Sequence, residues 1–299
     1  MVITGTTKIL GVIGNPISHS LSPIIHNAAI EHLGLDYRYL AFPVAPERLA
    51  TALDGFAAIG LVGSSVTIPH KQAIVPLLAE ITPLAQAVGA VNTIWNTATG
   101  WHGTNTDVAG FVSPLAAIQR DWSNTTAVVL GNGGAARAVV VGCHQLGCGK
   151  IQVFGRSASK LEQFQSSWTG IQLPIAGSET QQQVTITTHL WIELSASIET
   201  DNLLLVNSTP IGMYPQIEES PISAETIQGI GANSIAYDLI YTPQPTKFLQ
   251  LAKDAGMMTI DGTEMLVQQG AAAFELWLQQ PAPIQIMRQA LVQTLNAKL

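Results

Sequence analysis

Lys71 and Asp107 each end a run that carries hydroxyl or amide side chains. Residues 65–71 read Ser-Val-Thr-Ile-Pro-His-Lys, and residues 103–107 read Gly-Thr-Asn-Thr-Asp. When an alcohol and a ketone are interconverted, a proton moves on the oxygen while a hydride moves on the carbon. A lysine beside a carboxylate can hold charge near that oxygen and relay the proton. We therefore predict that Lys71 and Asp107 form a proton-transfer pair, and no set of zinc ligands accompanies them in the sequence.

Five further polar residues in this half of the chain are candidates for binding the substrate. Ser20 and Ser22 stand close together at a predicted helix start, and Asn92 lies farther along the chain. Ser65 and Thr67 fall on one face of a predicted strand, because successive side chains of a strand alternate between faces. Hydroxyl and amide groups at strand ends suit a small molecule with several hydroxyls, since each buried polar group needs a partner.

Some of these residues also fit purely structural roles. Ser22 before Pro23 is typical of a helix N-cap followed by proline at the first helical position. Asp107 suits the first turn of a helix, where the dipole favours a carboxylate. His26 and His70 fit buried structural histidines as well as catalytic ones.

A glycine-rich turn in the middle of the chain predicts a dinucleotide site. Residues 128–136 read Val-Val-Leu-Gly-Asn-Gly-Gly-Ala-Ala, which indicates a buried strand, a tight turn and a helix start. Glycines let the backbone approach a pyrophosphate, and the helix N-terminus offers free N–H groups. The candidate cofactor-binding residues of this turn are Gly131, Asn132, Gly133, Gly134 and Ala135.

The second strand of the same unit indicates which dinucleotide is bound. An acid about 20 residues after the glycines holds the ribose 2′-hydroxyl in sites that prefer NAD. Here the strand ends at residue 155 without an acid, and Arg156, Ser157 and Lys160 follow. Two cations suit a 2′-phosphate. We therefore predict NADP as the cofactor, and hydride transfer as the chemistry.

The elements that must position these residues alternate between strands and helices. Predicted strands cover residues 8–13, 37–43 and 61–68, a hairpin of 90–95 with 101–103, and segments near residues 126, 151, 184, 203 and 234. Predicted helices cover residues 22–33, with Gly34 just after the end, a segment from 46, and residues 107–119, 246–255, 264–278 and 284–297. Such alternation predicts an α/β fold with parallel sheets covered by helices.

Length and composition set the remaining expectations. A chain of 299 residues favours two domains. A net charge of −7 disfavours nonspecific nucleic-acid binding, which needs a basic surface. No run of about 18 apolar residues predicts a membrane span. With two cysteines and no signal peptide at the N-terminus, we expect neither disulfide nor metal site, and a cytoplasmic location.

Several separate motifs, in order, resemble the shikimate dehydrogenase family almost from end to end. In the first half they are Gly-Asn-Pro-Ile-Ser-His-Ser-Leu-Ser-Pro at 14–23, Val-Thr-Ile-Pro-His-Lys at 66–71, Gly-Ala-Val-Asn-Thr at 89–93 and Asn-Thr-Asp at 105–107. The others are Gly-Asn-Gly-Gly-Ala-Ala at 131–136, Asn-Ser-Thr-Pro-Ile-Gly at 207–212, Tyr-Asp-Leu-Ile-Tyr at 237–241 and Met-Leu-Val-Gln-Gln at 265–269.

This resemblance implies a two-domain α/β fold and NADP-dependent reduction of 3-dehydroshikimate to shikimate in aromatic amino-acid synthesis. It implies a substrate-binding and catalytic domain of mixed or parallel α/β type at residues 1–107 and 262–299, and a Rossmann NADP-binding domain at 108–261. It also implies that a monomer or homodimer acts on a small molecule. It adds Tyr241 and Gln269 to the substrate-binding residues, and Thr209 and Gly262 to the cofactor-binding residues.

The chain departs from the family pattern at three places. Ser65 stands where the family usually has asparagine, and Gly155-Arg-Ser replaces Asn-Arg-Thr at the adenosine loop. Glu264 replaces a glycine near the nicotinamide. A quinate or dual quinate/shikimate dehydrogenase of the same fold is an alternative. Ser65 and Glu264 leave a binding homologue without catalysis as a second alternative. Methylenetetrahydrofolate dehydrogenase fits the architecture but not the hydroxyl-rich first domain.

Overall fold

The computed structural model describes residues 2–175 and 180–297 and divides into two compact units. Unit 1 is built from both ends of the chain, up to Gly110 and from Leu266 onward, and unit 2 is the continuous segment Phe111–Met265. The chain passes from one unit to the other inside two helices, Asp107–Ala116 and Thr263–Leu278. Within the described residues, no helix is both long enough and apolar enough to span a membrane.

The described part of unit 1, residues 2–110 and 266–297, holds six strands that form one sheet, together with the helices that follow them. In chain order the elements are β1 (Lys8–Gly14), α1 (Ser22–His32), β2 (Tyr37–Pro43), α2 (Leu49–Ala58), β3 (Gly63–Val66), α3 (His70–Ala73), β4 (Glu80–Ile81), α4 (Pro83–Val88), β5 (Thr93–Thr97), β6 (Gly100–Thr104) and the start of α5 (Asp107–Ala116).

The sheet of unit 1 is mixed, with the strand order β2-β1-β3-β5-β6-β4. β1 pairs in parallel with β2 and β3, while β5 is antiparallel to both β3 and β6. Residues Leu10, Val12 and Ile13 of β1 are buried, as a strand with neighbours on both sides requires. Gly34 follows α1 with φ of +66°, the left-handed conformation predicted for a glycine after a helix.

Outside residues 176–179, unit 2 contains eight strands and the helices between them. They are β7 (Thr126–Leu130), α6 (Gly134–Leu146), β8 (Lys150–Gly155), α7 (Ala158–Ser166), β9 (Gln172–Pro174), β10 (Gln181–Gln183), β11 (Thr187–Leu190), α8 (Leu194–Ser197), β12 (Leu203–Asn207), α9 (Ala224–Gln228), β13 (Ile235–Asp238), α10 (Lys247–Asp254), β14 (Met258–Ile260) and the start of α11 (Thr263–Leu278). The rest of α11 belongs to unit 1, as does α12 (Ile284–Asn296). Single 3₁₀ turns lie at Pro46–Arg48, Val75–Leu77, Trp122–Asn124 and Trp191–Glu193.

Six strands of unit 2 form a wholly parallel sheet in the order β11-β8-β7-β12-β13-β14. Numbered within the unit, this is the order 3-2-1-4-5-6 of a doubly wound dinucleotide-binding fold. Every residue of β7 and of β12 is buried, because both strands are central. The predicted α/β class and the Rossmann character of the middle segment are therefore confirmed.

Some predicted element bounds are wrong. The strand expected over residues 61–68 is only Gly63–Val66, and the helix expected to reach residue 119 ends at Ala116. The strand placed near Val184 begins at Thr187, although Val184 is buried. The N–H of Val184 instead donates to the carbonyl of Ile171. This hydrogen bond extends the small antiparallel pair of β9 and β10.

Candidate active site

Lys71 and Asp107 come together in unit 1. Lys71 Nζ donates to Asp107 Oδ2 at 2.6 Å, and the two side chains are 16% and 7% exposed. Lys71 lies in the short helix α3, and Asp107 is the first residue of α5. An ion pair this little exposed is weakly screened by water, yet a small molecule can still reach the lysine.

Asn92 fixes the other oxygen of the Asp107 carboxylate. Its amide nitrogen donates to Asp107 Oδ1 at 2.8 Å and lies 3.5 Å from Gln269 Oε1. Its amide oxygen accepts the backbone N–H of Thr106 at 2.7 Å and the hydroxyl of Thr93 at 3.0 Å. Lys71, Asn92, Asp107 and Gln269 therefore form one connected polar group.

Thr93, Asn105 and Thr106 support this group, and the sequence analysis did not single them out. All three are buried, and the hydroxyls of Thr93 and Thr106 lie 3.1 Å apart. Asn105 Oδ1 accepts the backbone N–H of Asp107 at 3.0 Å, which sets the start of α5. The signal that could have found Asn105 and Thr106 is the unbroken polar run of residues 104–107 directly before a helix.

Ser20 and Ser22 adjoin each other, but the prediction that Ser22 caps α1 is wrong. Leu21 occupies the N-cap position without a side-chain cap, and Ser22 and Pro23 are the first two helical residues. Ser20 Oγ instead accepts the backbone N–H of Ser22 at 3.3 Å. The Ser22 hydroxyl therefore does not cap α1.

Ser65 and Thr67 were expected on one face of a single strand, but β3 ends at Val66, between the two residues. Ser65 lies in β3 and is buried, with Oγ accepting the phenol hydroxyl of Tyr39 at 2.8 Å. Thr67 lies beyond the strand end, where its methyl carbon packs over Gly14. A Cβ on Gly14 would stand 2.6 Å from that methyl group, so the glycine is what makes room for Thr67. Tyr39 was missed because it reads as one of several aromatic or apolar residues of β2.

The glycine turn of unit 2 has the conformation that a phosphate site needs. Gly131 has φ of +107°, and a Cβ there would meet Ser208 Oγ at 2.8 Å. Gly133 is the N-cap residue of α6, and nothing lies within 4 Å of the position its Cβ would take. The open space at Gly133 and the 13-residue helix behind it fit a pyrophosphate on the helix N-terminus.

Arg156 and Lys160 are exposed beside this turn. Arg156 directly follows β8, and Ser157 caps α7 by accepting the backbone N–H of Lys160. Asn132 Oδ1 lies 3.2 Å from where a Cβ of Gly155 would stand. A larger residue at position 155, such as the asparagine usual in the family, would therefore crowd the turn.

The remaining candidate residues also lie in unit 2, near the ends of its strands β12, β13 and β14. Thr209 donates its hydroxyl to Asn207 Oδ1 at 2.7 Å, and Tyr241 lies just beyond β13 and is partly buried. A Cβ on Gly262 would stand 2.2 Å from the carbonyl oxygen of Leu239, so only glycine fits there. Apart from Tyr241, all the predicted catalytic and substrate-binding residues lie in unit 1.

Asp238 anchors the loops that carry these residues. Its carboxylate accepts hydrogen bonds from Asn207 Nδ2 at 3.0 Å, the Ile240 N–H at 3.1 Å and Thr246 Oγ1 at 2.6 Å. Burial raises the pKa of Asp238 to about 7, although these hydrogen bonds act in the opposite direction. Burial thus opposes the negative charge that the three donors stabilise.

Among residues 2–175 and 180–297, no three His, Cys, Asp or Glu side chains are grouped so that they could hold a metal ion. Cys143 is buried within α6 and Cys148 is partly buried beyond it, and both are free thiols. Burial, with a contribution from Cys148, raises the pKa of the Cys143 thiol. Cys143 is therefore an inert core residue at neutral pH.

Comparison with known proteins identifies the family. The family model described as "Shikimate dehydrogenase substrate binding domain" matches residues 12–94, and "Shikimate 5'-dehydrogenase C-terminal domain" matches residues 262–292. A protein of Crocosphaera subtropica named shikimate dehydrogenase (NADP(+)) is 55% identical, over 98% of this chain and 99% of its own. The chain belongs to the shikimate dehydrogenase family.

Solved structures of the shikimate dehydrogenase family share the fold over nearly the whole chain. A shikimate dehydrogenase in complex with NADP⁺ is 36% identical, with a TM-score of 0.83 over 98% of both chains. The Thermus thermophilus enzyme in complex with NADP(H) and shikimate is 30% identical, with a TM-score of 0.79 over 96% of this chain and 99% of its own.

Proposed function

We propose that this protein is an NADP-dependent shikimate dehydrogenase that interconverts 3-dehydroshikimate and shikimate. The observation that carries the proposal is the little-exposed Lys71–Asp107 pair, held by Asn92 in a chain of this family. Relatives over the full length are named for this activity, and the Thermus thermophilus relative was solved with both ligands. NADP, when bound, accepts or supplies the hydride at its nicotinamide ring.

The chain's own residues handle the proton. As shikimate is oxidised, the carbinol C–H leaves as hydride and the O–H proton passes to the Lys71–Asp107 pair. The two groups lie 2.6 Å apart, so the pair takes up the proton in one of two ways: a neutral Lys71 becomes an ammonium, or the Asp107 carboxylate beside a charged Lys71 becomes a carboxylic acid. Asn92 keeps Asp107 Oδ1 in place while Oδ2 faces the lysine. In the reverse direction the pair returns the proton to the developing alkoxide.

Substrate binding is assigned to the polar residues around this pair. Gln269 adjoins Asn92, and Ser22, Ser65 and Thr67 supply hydroxyl groups, with Ser20 beside Ser22. Tyr241 is assigned to the same role from its family position. The cofactor is assigned to unit 2, with the pyrophosphate at the turn of residues 131–135 and the 2′-phosphate at Arg156, Ser157 and Lys160. Thr209 and Gly262 complete the cofactor assignment.

Quinate is the substrate that the assay must separate from shikimate, because it carries one additional hydroxyl on the carboxylate-bearing carbon. NADPH formation is followed by absorbance at about 340 nm, the reduced nicotinamide band. Shikimate and quinate are each supplied with NADP and then with NAD. We expect turnover with shikimate and NADP, and equal or faster turnover of quinate would move the assignment to the dual-specificity alternative. Binding of shikimate and NADP without turnover would favour the non-catalytic homologue.

The proposal also includes a cytoplasmic location and a monomer or homodimer. The two free cysteines fit a reducing compartment, as does a role in amino-acid synthesis. Cell fractionation followed by the same assay tests the location. Sedimentation velocity over a range of protein concentrations separates the two assembly states.

A further inference from the structure

Tyr39 lies behind two of the proposed substrate residues and has no role in the function described above. Its phenol donates to Ser65 Oγ at 2.8 Å, and the Ser22 side chain also hydrogen-bonds the phenol. Tyr39 is fully buried, while Ser22 and Ser65 are each 7% exposed. The phenol therefore links two serines that come from different elements, α1 and β3.

The Tyr39 ring is held on several sides. The His26 ring stacks on it, with centroids 4.2 Å apart and an angle of 6° between the planes, and the Trp277 ring lies 6.0 Å away. Trp277 is itself fixed, because its indole N–H donates to the Ile94 carbonyl at 2.9 Å. A Cβ on Gly63 would stand 2.3 Å from that nitrogen, so the glycine lets the indole lie on the sheet. The phenol oxygen has little freedom to move.

The number of hydroxyl protons on Tyr39 and Ser65 determines whether Ser65 acts as a hydrogen-bond donor or as an acceptor toward the substrate. A phenol has one proton and a serine hydroxyl has one, and the Tyr39 proton is used on Ser65 Oγ. Burial keeps the phenol protonated by raising the pKa of Tyr39 above its ordinary value. Ser65 Oγ therefore accepts a hydrogen bond from Tyr39, and the Ser65 hydroxyl proton can be donated to a different partner.

We propose that Tyr39 is a positioning residue that holds Ser65 as a hydrogen-bond donor toward an acceptor oxygen of the substrate. Tyr39 does not touch the substrate and acts through Ser65, with Ser22 as a second contact. This deepens the proposed function and rests on it, since it takes Ser65 to be a substrate-binding residue. A serine fixed as a donor selects for an acceptor, such as a carboxylate oxygen, at that point of the ligand.

The test is a double-mutant cycle of Tyr39→Phe and Ser65→Ala in the full chain. Shikimate KM, NADP KM and kcat are measured for both single variants and for the double variant. We expect Tyr39→Phe to raise the shikimate KM roughly 3- to 10-fold, the effect of one lost hydrogen bond, with kcat and NADP KM within about twofold of the wild type. In the Ser65→Ala background the same substitution is expected to add nothing, because the positioned hydroxyl is already gone.

Tyr37→Phe is the matched control, since Tyr37 lies two residues earlier on β2 and is partly exposed. Each variant's melting curve is recorded, and any variant that melts early is assayed well below its midpoint. Equal KM values for Tyr39→Phe and wild type, or additive effects in the cycle, would overturn the inference while leaving the proposed function intact. If wild-type protein does not turn over shikimate with NADP, the proposed function fails, and the inference fails with it.

Discussion

Two lysine–carboxylate pairs of this protein have the same length and different surroundings. Lys71 Nζ to Asp107 Oδ2 and Lys150 Nζ to Glu199 Oε1 are both 2.6 Å. The side chains of the second pair are 65% and 47% exposed, and water and salt screen such a pair to little net value. The first pair is largely shielded from water, so a change of charge on either partner is felt more strongly by its neighbours.

This contrast predicts the effect of removing each lysine. Lys71→Ala is expected to fold normally and to lose roughly 10²–10⁴-fold in kcat, because the group that moves the proton is gone. Lys150→Ala is the control, and we expect it to keep the wild-type rate. Steady-state rates with shikimate and NADP, with circular dichroism of each variant, provide the measurement. A wild-type rate for Lys71→Ala would remove the lysine from the mechanism.

The residues around this pair differ in how far the sequence could predict them. Lys71, Asp107 and Asn92 were predictable from the sequence, because each ends or interrupts a recognisable sequence motif. Tyr39 was not, because its contact with Ser65 runs diagonally over β1, between strands that are not adjacent. Such a contact depends on sheet order, which local spacing does not encode.

At the scale of elements, the strand-turn-helix from β7 to α6 and the end of β8 determine the proposed nucleotide specificity. Gly131 and Gly133 provide the backbone shape, whereas Arg156 and Lys160 provide exposed positive charge. Helix α6 is held to α7 by Arg137, whose guanidinium lies 5.4 Å from the centre of the Phe164 ring. The phosphate-binding helix start is therefore built on a packed pair of helices.

Arg156→Ala is expected to weaken NADP binding by about 1–3 kcal/mol, because one charge-assisted contact to the 2′-phosphate is lost. NAD binding is expected to change little, since NAD lacks that phosphate. Fluorescence titration with each nucleotide gives the two affinities. Arg48→Ala, an exposed arginine of unit 1, serves as the control. Equal losses for NADP and NAD would place Arg156 away from the 2′-phosphate.

The element bounds show what periodicity can and cannot supply. The parallel strands of unit 2 were predictable because they are short apolar runs separated by helices. The start of β11 was not, because Val184 and Ile186 are buried and alternate as a strand would, yet they lie before the ladder. The cap of α1 was misplaced by one residue, because Leu21 occupies the N-cap position and Ser22 is already helical.

At the scale of the whole molecule, one buried histidine of unit 1 contributes to the way stability depends on pH. Burial lowers the pKa of His26 to about 3 from an ordinary value of 6.5. Between these values the unfolded chain binds a proton that the native protein does not. The contribution of His26 to native stability therefore falls as the pH drops from 6.5 toward 3, by roughly 1 kcal/mol per pH unit.

His26→Phe is expected to remove this contribution while keeping a ring against Tyr39. Urea unfolding at about pH 7 and about pH 5 gives the two free energies, and the wild type is expected to lose roughly 2 kcal/mol more than the variant. His32→Phe, at the exposed end of the same helix, is expected to keep the wild-type dependence. An equal loss in wild type and His26→Phe would show that other groups account for the acid sensitivity.

The division of unit 1 between the two ends of the chain has a consequence for how the protein is made. A ribosome releases residues in order, so the whole of unit 2 emerges before α12, which packs on α1. Gln269 lies 177 positions after Asn92, so that contact also waits for the intervening chain. A nascent chain arrested at the end of unit 2 would thus carry a complete nucleotide-binding unit beside a substrate unit whose apolar helix face is still bare. The N-terminal segment of unit 1 is synthesised first, yet it would need chaperones that bind such apolar faces for the longest time.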